Sequence, residues 1–176
     1  MKNFKELLKD IKVFIFDVDG VLSANVMNLN SDTGLPVRTG NVKDGYALHL
    51  ASKLGYKVAI ITGANTEYLT SRFAALGMHD DIYLGCHNKI VEFQALMEKY
   101  NLNPENVLYM GDDIPDLKVM KMVGVPCCPA DAAPEIKEIS KYISHCKGGE
   151  GCARDVIEQV LKAQDNWLRD DEATIW

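Results

Sequence analysis

The sequence has no long hydrophobic run. No stretch approaches the roughly 20 uninterrupted apolar residues of a bilayer-spanning helix. The opening, MKNFKELLKD, mixes acidic and basic residues without an apolar signal core. Neither a membrane span nor a secretory leader is expected, and the chain is expected in the cytoplasm. Basic residues are in the minority: 19 Lys and Arg stand against 25 Asp and Glu, a net charge of -6. That balance argues against nucleic acid and membrane surfaces as partners, since both require a basic face. A small anionic substrate stays compatible if cations gather locally.

The five cysteines include no C-x-x-C pair. An odd number, with Cys127 and Cys128 adjacent, makes a poor disulfide framework and fits a reducing compartment. Cys86 beside His87, and His145-Cys146 near Cys152, leave a zinc site open as a secondary reading; ordinary thiols are the simpler one. Internal repeats and low-complexity blocks are also missing.

What is present is a chain of 176 residues, 47% hydrophobic and 25% charged. That is the size of one globular domain, which buries roughly 70% of its unfolded surface. Residues 11–16 (IKVFIF) form a β-branched and aromatic run that stops at Asp17, the pattern of a buried parallel strand meeting polar residues at its carboxyl end. Residues 57–61 stop at Thr62-Gly63, 81–84 at Gly85, and 106–110 at Gly111-Asp112-Asp113. Helix-length segments lie between them: 43–54 closed by Gly55, 66–76 closed by Gly77, and 88–100 with Ile90, Phe93, Met97 and Tyr100 on one face. Weaker strands are expected over 123–125 and 141–143, and a last helix over 152–162. The alternation predicts an α/β fold, a Rossmann-like doubly wound parallel sheet.

Residues 23–41 break the alternation. Asn, Ser, Asp, Thr and Gly at 30–34, between short apolar runs, predict a β-hairpin projecting from the carboxyl edge of the sheet. The expected organisation is a domain over 1–163 and a tail over 164–176. The tail is polar and acidic apart from Trp167, Leu168, Ile175 and Trp176; it is expected to be mobile, or else to dock onto another subunit.

Open α/β sheets bind ligands beyond the carboxyl ends of their strands, so residues distant in sequence converge there. Here these are Asp17, Asp19, Thr62, Lys89 and the group Asp112, Asp113 and Asp116. Several carboxylates at one end of a sheet repel each other unless a hard divalent cation neutralises them, and magnesium is the natural choice. Mg2+ beside a phosphate oxygen would let Asp17 attack phosphorus in line as a nucleophile. Asp19 stands two residues on, placed to protonate the leaving alkoxide and then deprotonate water. Gly20 allows the tight turn that follows. Thr62 and the amide of Gly63 suit phosphate oxygens, and Lys89 adds positive charge. Singly, each residue fits an ordinary loop, turn or solvated helix position; their joint placement at strand ends carries the inference.

In order and content, these four motifs resemble the haloacid dehalogenase superfamily of phosphotransferases: Asp17-Val-Asp19-Gly20-Val, Thr62-Gly63, Lys89 opening a helix, and Gly111-Asp112-Asp113-Ile-Pro-Asp116. The resemblance implies Asp17 as nucleophile and metal ligand, Asp19 as acid/base and a ligand through its carbonyl, Asp112 as a direct ligand, and Asp113 and Asp116 as supporting residues. The gaps from Asp17 to Thr62 and from Thr62 to Lys89 hold no cap domain. Within the capless subgroup the chain to about Lys162 resembles the 3-deoxy-D-manno-octulosonate 8-phosphate (KDO 8-P) phosphatase family, including Lys43-Asp44-Gly45, Arg72 to Leu76-Gly77, and Gly148-Gly149-Glu150-Gly151-Cys152-Ala153-Arg154.

That resemblance implies a homotetramer built through the hairpins, with a neighbouring subunit over the site, and a phosphorylated 2-keto-3-deoxy sugar acid as substrate. Lys43, Asp44, Gly63, Arg72 and Arg154 are the candidate substrate-binding residues, Arg72 and Arg154 being equally suited to structural salt bridges. The chain departs from the family at Ser23-Ala24-Asn25 and Leu84-Gly85, which leaves a nonulosonate 9-phosphate as the alternative substrate. Two non-enzymatic readings compete. A phospho-aspartate receiver has its acidic pair before a lone acceptor Asp, the reverse of the order here, and a silent assembly module gives no reason to keep so many clustered carboxylates.

Overall fold

The computed structural model describes residues 3–169 and 171–175. Its elements run α1 (Phe4–Leu8), β1 (Val13–Phe16), β2 (Asn28–Leu29), β3 (Pro36–Val37), α2 (Val42–Lys53), β4 (Lys57–Ile61), α3 (Glu67–Ala74), β5 (Ile82–Tyr83), α4 (Lys89–Lys99), β6 (Val107–Met110), α5 (Leu117–Met120), β7 (Val125–Cys128), α6 (Pro134–Ile139), β8 (Tyr142–Ile143) and α7 (Cys152–Ala163). Six strands pair in the order β5-β4-β1-β6-β7-β8. All these pairings are parallel, which is the doubly wound sheet expected from the alternation.

Side chains alternate across a strand, so β1 sends Phe14 and Phe16 into one core and Val13 and Ile15 into the other. Likewise, β6 divides Leu108 and Met110 from Val107 and Tyr109. The first core is closed by α1, α2, α3 and α7, the second by α4, α5 and α6. Burial on both faces is the reason these strands read as unbroken apolar runs. In α4, Phe93 and Met97 are buried, and Ile90 and Tyr100 pack against the same core.

The interruption over 23–41 folds as a hairpin in which β2 pairs antiparallel with β3. Val26, Leu29, Leu35 and Val37 are all more than half exposed on it. Its base is tied down by side chains: Thr39 Oγ1 accepts from Ala24 N (3.2 Å), and Thr39 N donates to Ser23 Oγ (3.1 Å). Asn25 donates to Asp131 Oδ2 (2.9 Å), and Asp131 Oδ1 also accepts from Gly148 N (2.9 Å). Ser23 and Asn25, in the stretch that departs from the pattern the sequence resembles, therefore brace this base. A Cβ on Gly148 would lie 2.0 Å from the carbonyl oxygen of Gly20. Only glycine lets the 148–151 segment press against the loop after β1.

The described part of the tail packs against its own chain. Gln164 donates to the carbonyls of Leu8 and Ile11 (both 2.8 Å) and accepts from Tyr56 Oη (2.6 Å). Trp167 meets Tyr46 edge-on, with ring centroids 6.3 Å apart. Ala173 is buried, and its carbonyl accepts from the Tyr46 hydroxyl. The end of α1, the Ile11 carbonyl, Tyr46 of α2 and Tyr56 supply these partners, and the Tyr46 contact explains why the polar tail keeps a tryptophan; Trp176 lies outside the described residues. The expectation also missed α1, whose start is a capping box in which Asn3 Oδ1 accepts from Glu6 N (3.0 Å) and Asn3 N donates to Glu6 (2.9 Å).

Candidate active site

β1 lies between β4 and β6, so the chain winds away from it in both directions and a crevice opens beyond the three carboxyl ends. Asp17 follows β1, Thr62 follows β4, and Asp112 follows β6 after Gly111. Together with Asp19, Gly63, Lys89, Asp113 and Asp116 they line one cleft of about 460 Å³. Oxygens of Asp17, Asp112 and Asp116 lie within 4.8 Å of one another.

Lys89 is not a solvated helix residue. It is buried at the start of α4, and its Nζ lies 2.7 Å from both Asp17 Oδ2 and Asp116 Oδ1. Burial alone would lower its ammonium, but Asp17 and Asp116 outweigh that and raise it above its ordinary value. Asp17 also accepts from Val18 N at 2.6 Å. Burial, and next the charge of Asp116, push the Asp17 carboxyl up to about 6 against the pull of Lys89. Asp112 is pushed up to about 7 by burial and by Asp17, Asp116 and Asp113. Asp116 is held by Lys89, by Tyr109 Oη (2.6 Å) and by Asp112 N (3.3 Å).

Carboxyls driven above their usual range by burial and by each other's charge mark a place that a divalent cation would stabilise. The donor set fits magnesium, which takes carboxylate oxygens rather than thiols. Gly20, at φ +84, completes the fit, because a Cβ there would lie 2.0 Å from Asp112 Oδ2. Among the described residues no His or Cys joins a metal-holding group, which counts against the zinc reading. Thr62 is buried, its Oγ1 accepting from Ala64 N (3.2 Å), with Gly63 beside it.

The remaining predicted residues are placed elsewhere. Asp44 Oδ1 accepts from Arg154 N (2.6 Å), capping the first turn of α7, and burial pushes this carboxyl up to about 6. Arg154 pairs with Glu158 (2.8 Å) and stacks 4.5 Å from the Trp167 ring, the structural alternative foreseen for it. Lys43 lines a separate groove with Arg154 and His145. Arg72 lines a small cavity under the hairpin, in the space left by the missing Cβ of Gly45. Of the candidate substrate contacts, Gly63 alone lines the acidic cleft within this subunit.

Two site residues escaped the sequence. Tyr109 anchors Asp116 from within β6, where it reads as a core aromatic. Arg38 grips Asp19 through two bonds, Nε to Oδ1 at 2.7 Å and Nη2 to Oδ2 at 2.8 Å. Its signal was modest: it is the sole basic residue between 23 and 41.

A doubly wound sheet whose central strand ends gather acidic residues, a threonine and a lysine has the architecture of a metal-assisted phosphoryl-transfer enzyme. The sequence pattern of the haloacid dehalogenase-like hydrolases matches residues 61–154. The 3-deoxy-D-manno-octulosonate 8-phosphate phosphatase KdsC of Salmonella typhi is 39% identical over 156 residues, 89% of this chain and 82% of that protein. The KdsC of Escherichia coli K12 is 38% identical over the same coverage. Among solved structures, the corresponding phosphatase of Yersinia pestis superimposes with a TM-score of 0.88 at 34% identity, covering 93% of this chain and 87% of that one. The Moraxella catarrhalis enzyme, solved with magnesium, phosphate and KDO, gives 0.87 at 33% identity, covering 93% and 92%. The chain belongs to the haloacid dehalogenase-like hydrolases.

Proposed function

We propose that this chain is a magnesium-dependent phosphatase that converts 3-deoxy-D-manno-octulosonate 8-phosphate to KDO and phosphate through an aspartyl phosphate on Asp17. The observation that carries this reading is the convergence of Asp17, Lys89, Asp112 and Asp116 beyond three parallel strands. The named activity of the relatives supports it and favours the eight-carbon acid over a nonulosonate, and a hydrolase over a receiver or silent module.

Asp17 and Asp112 would hold the magnesium with the Asp19 carbonyl, supported by Asp113 and Asp116; when bound, the ion neutralises these carboxylates and polarises the phosphoryl group. Lys89 pins one Asp17 oxygen and offsets negative charge on the transferring group. Thr62 and the Gly63 amide receive phosphoryl oxygens. Asp17 forms its bond to phosphorus as the ester bond breaks, and the leaving oxygen takes a proton from Asp19. Water then attacks the aspartyl phosphate, giving a proton to Asp19 as phosphate leaves. On this reading the catalytic unit spans residues 1–163.

The exposed apolar side chains of the hairpin support a homotetramer assembled through it, which would also cover the capless cleft. The free thiols support a cytoplasmic setting. Among the described residues no helix is long and apolar enough to cross a membrane.

The test is phosphate release, with and without magnesium, from octulosonate 8-phosphate, nonulosonate 9-phosphates and hexose phosphates. The expected result is a magnesium-dependent preference for the eight-carbon ester. A nine-carbon preference would replace the substrate, and no turnover of any ester would overturn the enzyme.

A further inference from the structure

The Arg38–Asp19 contact is more than a surface ion pair. The Arg38 side chain is only 7% exposed against 34% for Asp19, and the planar guanidinium meets both carboxylate oxygens, a geometry that fixes orientation as well as charge. A third donor, Nη1, reaches Thr66 Oγ1 at 3.1 Å. Thr66 stands at the N-cap of α3, yet its side chain makes no capping bond there; its oxygen serves Arg38 instead. Arg38 itself follows β3 directly, between the last hairpin pair and Thr39, whose bonds to Ser23 and Ala24 close the hairpin base. Asp19 lines the acidic cleft, whereas Arg38 lines the adjoining cavity under the hairpin. The fork thus reaches Asp19 from behind and leaves its cleft side open.

We propose that Arg38 is the positioning residue for Asp19: its fork holds the carboxyl at the rim of the cleft for both proton transfers and ties them to the seating of the hairpin. The inference rests on the reading of Asp19 as proton carrier. When Asp19 carries the proton, one N–H of the fork still holds it while the other oxygen faces the leaving group. As the ester P–O bond breaks, that proton passes to the leaving oxygen. In the second step one water proton returns to Asp19 while the water oxygen bonds to phosphorus and the Asp17–phosphorus bond breaks. Without the fork the carboxyl samples several rotamers, and both transfers slow.

The experiment compares an alkyl phosphate that the unmodified enzyme turns over with p-nitrophenyl phosphate, whose leaving group needs no proton. General acid–base catalysis is worth about 10²–10⁴-fold, so losing its orientation in Arg38→Met is expected to lower the alkyl kcat about 10–100-fold with KM nearly unchanged. With the aryl ester, nitrophenolate is expected to appear in a first-turnover burst at an undiminished rate, followed by slow turnover. Arg38→Lys, which keeps charge and loses the fork, should fall between. Thr66→Val, which removes only the far anchor, should give the same pattern at smaller size, and it serves if Arg38→Met does not fold. Equal losses for the alkyl kcat and the aryl first turnover, a rise in KM alone, or no change would each overturn the proposal. Asp19→Asn, run alongside, separates the two failures. If it shows the burst and the Arg38 and Thr66 variants do not, only the positioning role falls; if it shows none, the reading of Asp19 falls with it.

Discussion

On the proposed reading magnesium and protons compete for the same two carboxylates, and the structure sets the size of that competition. Asp17 stands at about 6 and Asp112 at about 7, against 3.8 for the unperturbed group. Both must be ionised to bind the cation. At pH 5 both carboxyls are mostly protonated, so apparent affinity should weaken by at least about a hundredfold between pH 8 and pH 5. Magnesium at about a hundred times its Kd at pH 8 should add about 2.7 kcal/mol to stability there, and close to nothing at pH 5. The metal-free protein should behave in the opposite sense. Its native state holds these protons more tightly than the unfolded chain, so the stability they confer is complete below 3.8 and is lost as pH rises through 6 and 7. Urea unfolding with EDTA or magnesium, from pH 5 to 8, measures both curves. A magnesium increment that stays flat across that range, or that survives intact in Asp17→Asn, would refute the reasoning.

Three further outcomes are expected. Asp17→Asn should abolish phosphate release while leaving circular dichroism unchanged; near-normal turnover in pure protein would sink the nucleophile. Gly20→Ala forces a methyl to within 2.0 Å of Asp112 Oδ2 at a positive φ, and should cost most of the magnesium-dependent thermal shift, read by calorimetry. Truncation after Ala163 removes the bonds of Gln164 and the packing of Trp167 and Ala173. It should cost about 3 kcal/mol, the scale of deleting a large buried side chain; an unchanged urea midpoint would return the tail to a loose appendage.

The central strands β1, β4 and β6 were legible because they are covered on both faces, and two-sided burial writes a continuous apolar run that ends where the chain emerges into polar surroundings. Helices α2 and α3 were legible from the glycines that stop them, at Gly55 and Gly77, both with positive φ. The helices α5 and α6, of four and six residues, were not, since so short a helix is held by packing rather than by its own periodicity. The same contrast runs through the site. Asp17, Thr62 and Asp112 could be read in advance because each follows a strand, and a parallel sheet brings such positions together whatever lies between them.

Position along a strand determines where a residue emerges; it does not determine which side chain will meet it. The grip of Arg38 on Asp19, the Tyr109 anchor beneath Asp116, and the turning of Asp44 and Arg154 away from the cleft toward α7 and the tail are choices among partners. Those choices depend on hairpin path, helix docking and burial, quantities that exist only once the chain has folded. The sequence by itself determined the succession of the central strands along the chain and the carboxylates at their ends, because both follow from local burial and chain alternation. Tertiary structure decided that Lys89 is a buried bridge between two carboxylates and not a solvated helix residue, because only packing could withdraw water from it and leave Asp17 and Asp116 as its partners.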